Sequence, residues 1–184
     1  MSRSGKMTKS LAAKATPVGG HKAKLGGQRK ARERAKGLRL VDRLTPIELY
    51  GAPMLERVNM IREGVSANAL VRISRGMQVP KERLYASLRL PRSTMDRKIR
   101  DNARLSPEHS EKLLGLERLI GQVERLVAES GNPQDFDAAL WLGEWLNSPL
   151  PALDGASPGD YMDTMEGQEL VATLLAQSQS GAYV

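Results

Sequence analysis

From about residue 53 onward, apolar residues recur at intervals of three and four, and nowhere do they alternate with polar ones over the length of a strand. Leu55, Val58 and Ile61 predict one helix. Ala69, Leu70, Ile73 and Met77 predict a second, with Ser66 as its N-cap. A third begins at Val79–Pro80, where proline suits a first turn, and offers Leu84, Tyr85 and Leu88 to the core; a fourth begins near Pro91. Ser106–Pro107–Glu108 sets an N-cap, an N1 proline and a first-turn acid in sequence, opening a long helix to about Val127. Leu113, Leu116, Ile120, Val123 and Val127 form a single apolar stripe along it.

The pattern breaks at Ser130–Gly131–Asn132–Pro133. Beyond it a helix is expected over 133–147, with Phe136, Leu140, Trp141 and Trp145, and with Phe136, Trp145 and Leu146 in the core. A proline-rich turn over 149–158 leads to a short helix near 158–164. A last helix follows over 166–179, with Leu170, Val171, Leu174 and Leu175 facing inward. The expectation is an all-α fold in three segments: a basic arm (1–45), a helical domain (46–130) and a small helical C-terminal domain (131–184).

Charge changes this picture more than composition does. Residues 1–40 carry 12 Lys/Arg against one acid, residues 41–130 carry 16 against 12, and residues 131–184 carry none against 8. Such a chain addresses two partners of opposite charge. The arm has almost no large apolar residue to offset the cost of ordering it, so it is expected to be disordered and to touch nucleic acid phosphates without sequence preference. An organelle transit peptide has a similar composition. There is no cysteine, which excludes disulfides and thiolate metal sites and fits a reducing compartment. No stretch is apolar enough to span a membrane, and the start lacks the apolar core of a secretion signal, so a cytoplasmic protein is expected.

The third and fourth helices, over 80–88 and 91–101, are joined by a tight connection at Arg89–Leu90, the layout of a helix-turn-helix whose second member enters the DNA major groove. At 100° per residue Met95 and Ile99 fall on one side, while Ser93, Arg97, Arg100 and, less centrally, Thr94 fall on the other. Arg97 and Arg100 suit guanine edges, Ser93 and Thr94 suit a base or a phosphate, and Arg92 and Lys98 flank this face as phosphate contacts. Catalytic chemistry is thin. His21 lies in the arm, His109 in a first helical turn, and Asp135 and Asp137 near a helix start complement its dipole. Neither an enzyme nor a metal or other cofactor is expected.

The C-terminal run Trp145–Leu146, Pro149, Ala152–Leu153, Gly155, Pro158, Thr164, Gly167, Val171 and Leu174–Leu175 resembles the toxin-binding domain of Xre/ParS/MbcA-like antitoxins. Residues 55–128, with Leu105–Ser106–Pro107–Glu108, resemble that family's Xre-type helix-turn-helix. The chain departs from the family at Leu142, where a small residue is common, at Leu150, often Asn, and at Asp154, often Gly. The resemblance implies a type II toxin-antitoxin pair whose toxin is a RES-domain, NAD-degrading enzyme, blocked at its active-site entrance by the antitoxin's C-terminal end. It assigns that contact to the last helix and tail: Thr164, Gly167, Glu169, Gly181, Ala182, Tyr183 and Val184. An acidic module suits a basic NAD-binding cleft, and a terminal tyrosine suits an interface anchor. Repression of its own operon by a homodimer on operator DNA completes this expectation. A stand-alone helix-turn-helix regulator or partition-type protein, and an RNA-binding protein acting through its arm, are the alternatives.

Overall fold

The computed structural model describes residues 44–131 and 134–179, all within one compact unit spanning Ala35–Val184. Eight helices occur among them: α1 Pro46–Gly51, α2 Met54–Glu63, α3 Asn68–Gly76, α4 Lys81–Ser87, α5 Arg92–Arg100, α6 Pro107–Ser130, α7 Ala138–Trp145 and α8 Met165–Gln179. Two short 3₁₀ turns, Pro151–Leu153 and Pro158–Tyr161, lie between α7 and α8. The described residues include no strand, only an isolated antiparallel bridge between Ser66 and Arg104. The all-α expectation holds. The basic arm, His21, Pro133 and the tail residues Gly181, Ala182, Tyr183 and Val184 lie outside the described residues.

The organising element is α6. Ser106 caps it, its hydroxyl accepting from the His109 amide at 3.3 Å, and Gly131 ends it in the left-handed region at φ +87°. A single stripe was expected along this helix, yet between Leu113 and Val123 nearly every residue is buried. The reason is that α6 is central: α1, α2, α7 and α8 all pack on it. Two glycines permit the closest approaches. A Cβ on Gly121 would collide with the Pro46 carbonyl of α1, and one on Gly115 with the Gln168 side chain of α8. The Gln168 amide donates to the Lys112 and Met162 carbonyls at 3.1 and 3.0 Å, and that of Gln122 donates to the Ala172 carbonyl at 2.9 Å. These bonds fix α8 along α6 in both rotation and translation. Apolar residues from both halves of the chain, including Leu70, Leu88, Met95, Leu142, Met162 and Val171, belong to one buried cluster with the α6 leucines.

Several sequence expectations shift. Residues 46–51, read there without a helix, form α1, capped by a reciprocal pair: the Glu48 amide donates to the Thr45 hydroxyl at 3.4 Å and the Thr45 amide to the Glu48 carboxylate at 2.8 Å. In α2 the buried residue is Met60, with Val58 and Ile61 partly covered; Leu55 is 70% exposed because the first turn of α2 projects past the core. Helix α7 starts at Ala138 rather than 133, since Asp137 caps it by accepting from the Leu140 amide at 2.9 Å. Phe136 therefore precedes the helix and is 39% exposed instead of buried. The buried face of α7 is Ala138, Leu142, Gly143 and Leu146, leaving Trp141 and Trp145 stacked at its edge with centroids 6.0 Å apart. In α8, Gln168, Val171, Leu174 and Leu175 face α6, and Leu170 is 40% exposed. It sits roughly 100° round the helix from the middle of that buried face.

Candidate functional site

Helices α4 and α5 meet across a turn in which Arg89 takes a left-handed conformation at φ +47° and the Leu90 amide closes back on the Tyr85 carbonyl at 2.8 Å. Leu90 is buried and plugs the angle between the helices. Asp96 braces α5 on α4. It accepts from the Tyr85 hydroxyl at 3.1 Å and lies 3.6 Å from the Lys81 ammonium and 3.7 Å from Arg92. Burial and the bond to Asp96 push the Tyr85 phenol up to about 12. Met95 is fully buried beneath α5.

The six residues of α5 singled out from sequence fall into two groups. Ser93, Arg97 and Arg100 are exposed on one face, and Thr94 is half-buried beside them. Arg92 is engaged instead with Glu82 at 3.5 Å and with Asp96. Lys98 donates to the Arg104 carbonyl at 2.5 Å, holding the end of α5 to the loop that opens α6. The outward face of α5 is thus a hydroxyl and two guanidinium groups at i, i+4 and i+7, a pattern that can reach groove edges and phosphates.

At the other end of the chain, Thr164 caps α8: its hydroxyl accepts from the Gly167 amide and its carbonyl from the Gln168 amide, both at 3.0 Å. Gly167 lies against the preceding turn, and a Cβ there would collide with the Tyr161 carbonyl. Both residues have structural work at the entry to α8. Glu169 is exposed on the outer face, with Glu166, Leu170 and Thr173. That face is acidic with one large apolar side chain on it. The sequence gave no sign of Leu170, since a leucine beside Val171 reads as core. In the connection leading there, Asp154 takes φ +53°, which accounts for glycine being common at this position in the resembled family. Arg89, in the helix-turn-helix turn, reaches Asp163 just before α8 at 2.9 Å.

Two family descriptions match the chain over these elements. The antitoxin Xre-like helix-turn-helix domain matches residues 56–118, and the antitoxin Xre/MbcA/ParS C-terminal toxin-binding domain matches residues 136–181. Over 135 residues the chain is 45% identical to the Prs ADP-ribosylating antitoxin of Sphingobium sp. (strain YBL2), a match covering 73% of this chain and 85% of that protein. The chain belongs to the Xre/MbcA/ParS antitoxin family. In this antitoxin the helix-turn-helix match contains α3, α4, α5 and most of α2, and runs into the first half of α6. The toxin-binding match contains α7 and α8. Among the described residues no helix is long and apolar enough to cross a membrane, and no group of His, Cys, Asp or Glu is placed to hold a metal ion.

Proposed function

We propose that this antitoxin neutralises a RES-domain toxin that consumes NAD, using the outer face of α8 and the tail residues Gly181, Ala182, Tyr183 and Val184. The observation that carries this reading is the exposed Leu170 among Glu166, Glu169 and Thr173 on a module without Lys or Arg. An enzyme that binds NAD must accommodate a pyrophosphate, so the entrance to its cleft is basic. An acidic face steers onto such an entrance, and a central apolar side chain supplies the desolvated contact. The relative's name links its antitoxin to ADP-ribosylation. Transfer of ADP-ribose from NAD to a protein is accordingly the reaction proposed for this toxin, in place of simple degradation. Thr164 and Gly167 serve the contact by shaping the start of α8, whereas Glu169 touches the toxin directly.

The same protein represses its own operon in the cytoplasm as a homodimer, with Ser93, Arg97 and Arg100 on DNA and Thr94 beside them; Arg92 and Lys98 set the attitude of α5 and contact phosphates where their side chains allow. The test is co-expression with the product of the adjacent gene, reading growth and co-purification. Rescue by the full chain, with loss of rescue for Leu170→Asp and for a chain ending before Ser180, supports the reading. Rescue by both variants sinks it. A stand-alone regulator remains the second reading, favoured by the outward arginines of α5, and a harmless adjacent product with no complex would select it.

A further inference from the structure

Beside the outer face of α8 lies a groove of about 760 Å³, walled by α2 and the middle of α6 on one side and by α8 on the other. Its rim carries exposed apolar side chains: Tyr50, Met165 and Met54, the last 74% exposed. Two arginines, Arg57 from α2 and Arg118 from α6, also line it. They repel one another: burial, and then the Arg57 charge, hold the Arg118 guanidinium below its ordinary range. The Arg118 Nε is buried without a hydrogen-bond partner. Arg57 spends one of its donors on the Ala52 carbonyl. A half-buried pair of like charges flanked by apolar surface is poorly satisfied in the free protein. An incoming carboxylate relieves the repulsion, and apolar neighbours of that carboxylate cover Met54, Tyr50 and Met165.

We infer that this groove is a second contact surface for the toxin, receiving an acidic side chain of that partner between Arg57 and Arg118 with apolar residues on either side. The inference rests on the toxin-binding reading of α8. The occupant follows from continuity: Glu166, Glu169 and Thr173 line the groove and also belong to the outer face of α8. A body seated on that face overhangs the groove, leaving a second copy of the chain no separate place there. The interface then extends beyond residues 136–181 onto α2 and α6, which lie in the helix-turn-helix half.

The experiment is calorimetric titration of the full-length antitoxin and its variants with a catalytically inactive form of the adjacent gene's product, alongside melting curves and the mass of the free antitoxin. Met54→Asp places a like charge before an acidic guest, and Met54→Lys an attractive one. The expected result is a loss of affinity of tenfold or more for Met54→Asp and for Arg118→Gln, with affinity kept or raised for Met54→Lys and melting unchanged for the two Met54 variants. Equal losses for both Met54 charges would overturn the acidic guest. Wild-type affinity for both Met54 variants, with binding lost in Leu170→Asp, would overturn the groove contact and leave the α8 reading standing. Wild-type affinity in Leu170→Asp as well would remove the α8 reading itself. A changed mass of free Met54→Asp with unchanged toxin affinity would give the groove to a second copy and overturn the inference.

Discussion

Gly167→Ala separates a residue that shapes α8 from one that touches a partner. The new methyl would enter the shell of the Tyr161 carbonyl oxygen, lie 2.9 Å from its carbon and sit 3.0 Å from the Thr164 hydroxyl. The obstacle is backbone, so relief requires the turn over Pro158–Tyr161 to move away from α8, and that motion strains the Thr164 cap. Overpacking of this kind costs about 1–3 kcal/mol, and a weakened cap costs up to about 1 more. Alanine's better helix propensity returns about 1 kcal/mol. The net destabilisation is about 1–3 kcal/mol. Urea unfolding followed by circular dichroism should show the midpoint falling by roughly 0.5–1.5 M at a slope of ~2 kcal/mol/M. Toxin affinity should fall only in proportion to the lost order of α8, and added osmolyte should restore both. A variant as stable as the parent that nonetheless fails to bind toxin would refute this reasoning and make Gly167 a direct contact.

Replacing Leu142, fully buried on α7, by alanine should cost about 2–5 kcal/mol, read by the same unfolding assay; a loss below 1 kcal/mol would mean that the small residue common in the family fits without a cavity. Tyr85 is neutral in the folded state up to about 12 against an ordinary value of 10, so its contribution to stability is complete below pH 10 and is lost as pH rises towards 12. Unfolding followed across that window should show a decline that Tyr85→Phe diminishes, and an identical decline in the variant would contradict the assignment. Arg97→Ala should remove about 1–3 kcal/mol of affinity for the operator; equal loss on random duplex would make Arg97 a phosphate contact.

Local chemistry made much of this architecture legible. The opening of α6 was readable because Ser106, Pro107 and Glu108 carry the cap in three adjacent residues, and the helix-turn-helix because its two helices flank a short connection. Helix α1 was equally readable: Thr45-Pro46-Ile47-Glu48 is a capping box, a signal present in the sequence and passed over. Leu55, Phe136 and Leu170 were misplaced for another reason. Periodicity says which residues share a face, but whether that face is covered depends on what packs there from elsewhere in the chain. The same limit hid the role of Gly115 and Gly121, which look like weak points in a helix until Gln168 and Pro46 arrive from 53 and 75 positions away. The groove arginines are of this kind, since Arg57 and Arg118 are ordinary surface charges until α2 is laid beside α6.

The central position of α6 bears on how such an antitoxin can diversify. Its first half lies in the region that matches the DNA-binding family, yet α8, which follows it by a long stretch of chain, is bonded to it at Lys112 and Gly115 sits beneath Gln168. A recombination joint at Ser130–Gly131 would hand the acidic module to a new head whose long helix lacked those docking positions. Exchange of toxin specificity between relatives should therefore succeed when α6 travels with α7 and α8, and yield insoluble chimaeras when the cut follows the linker.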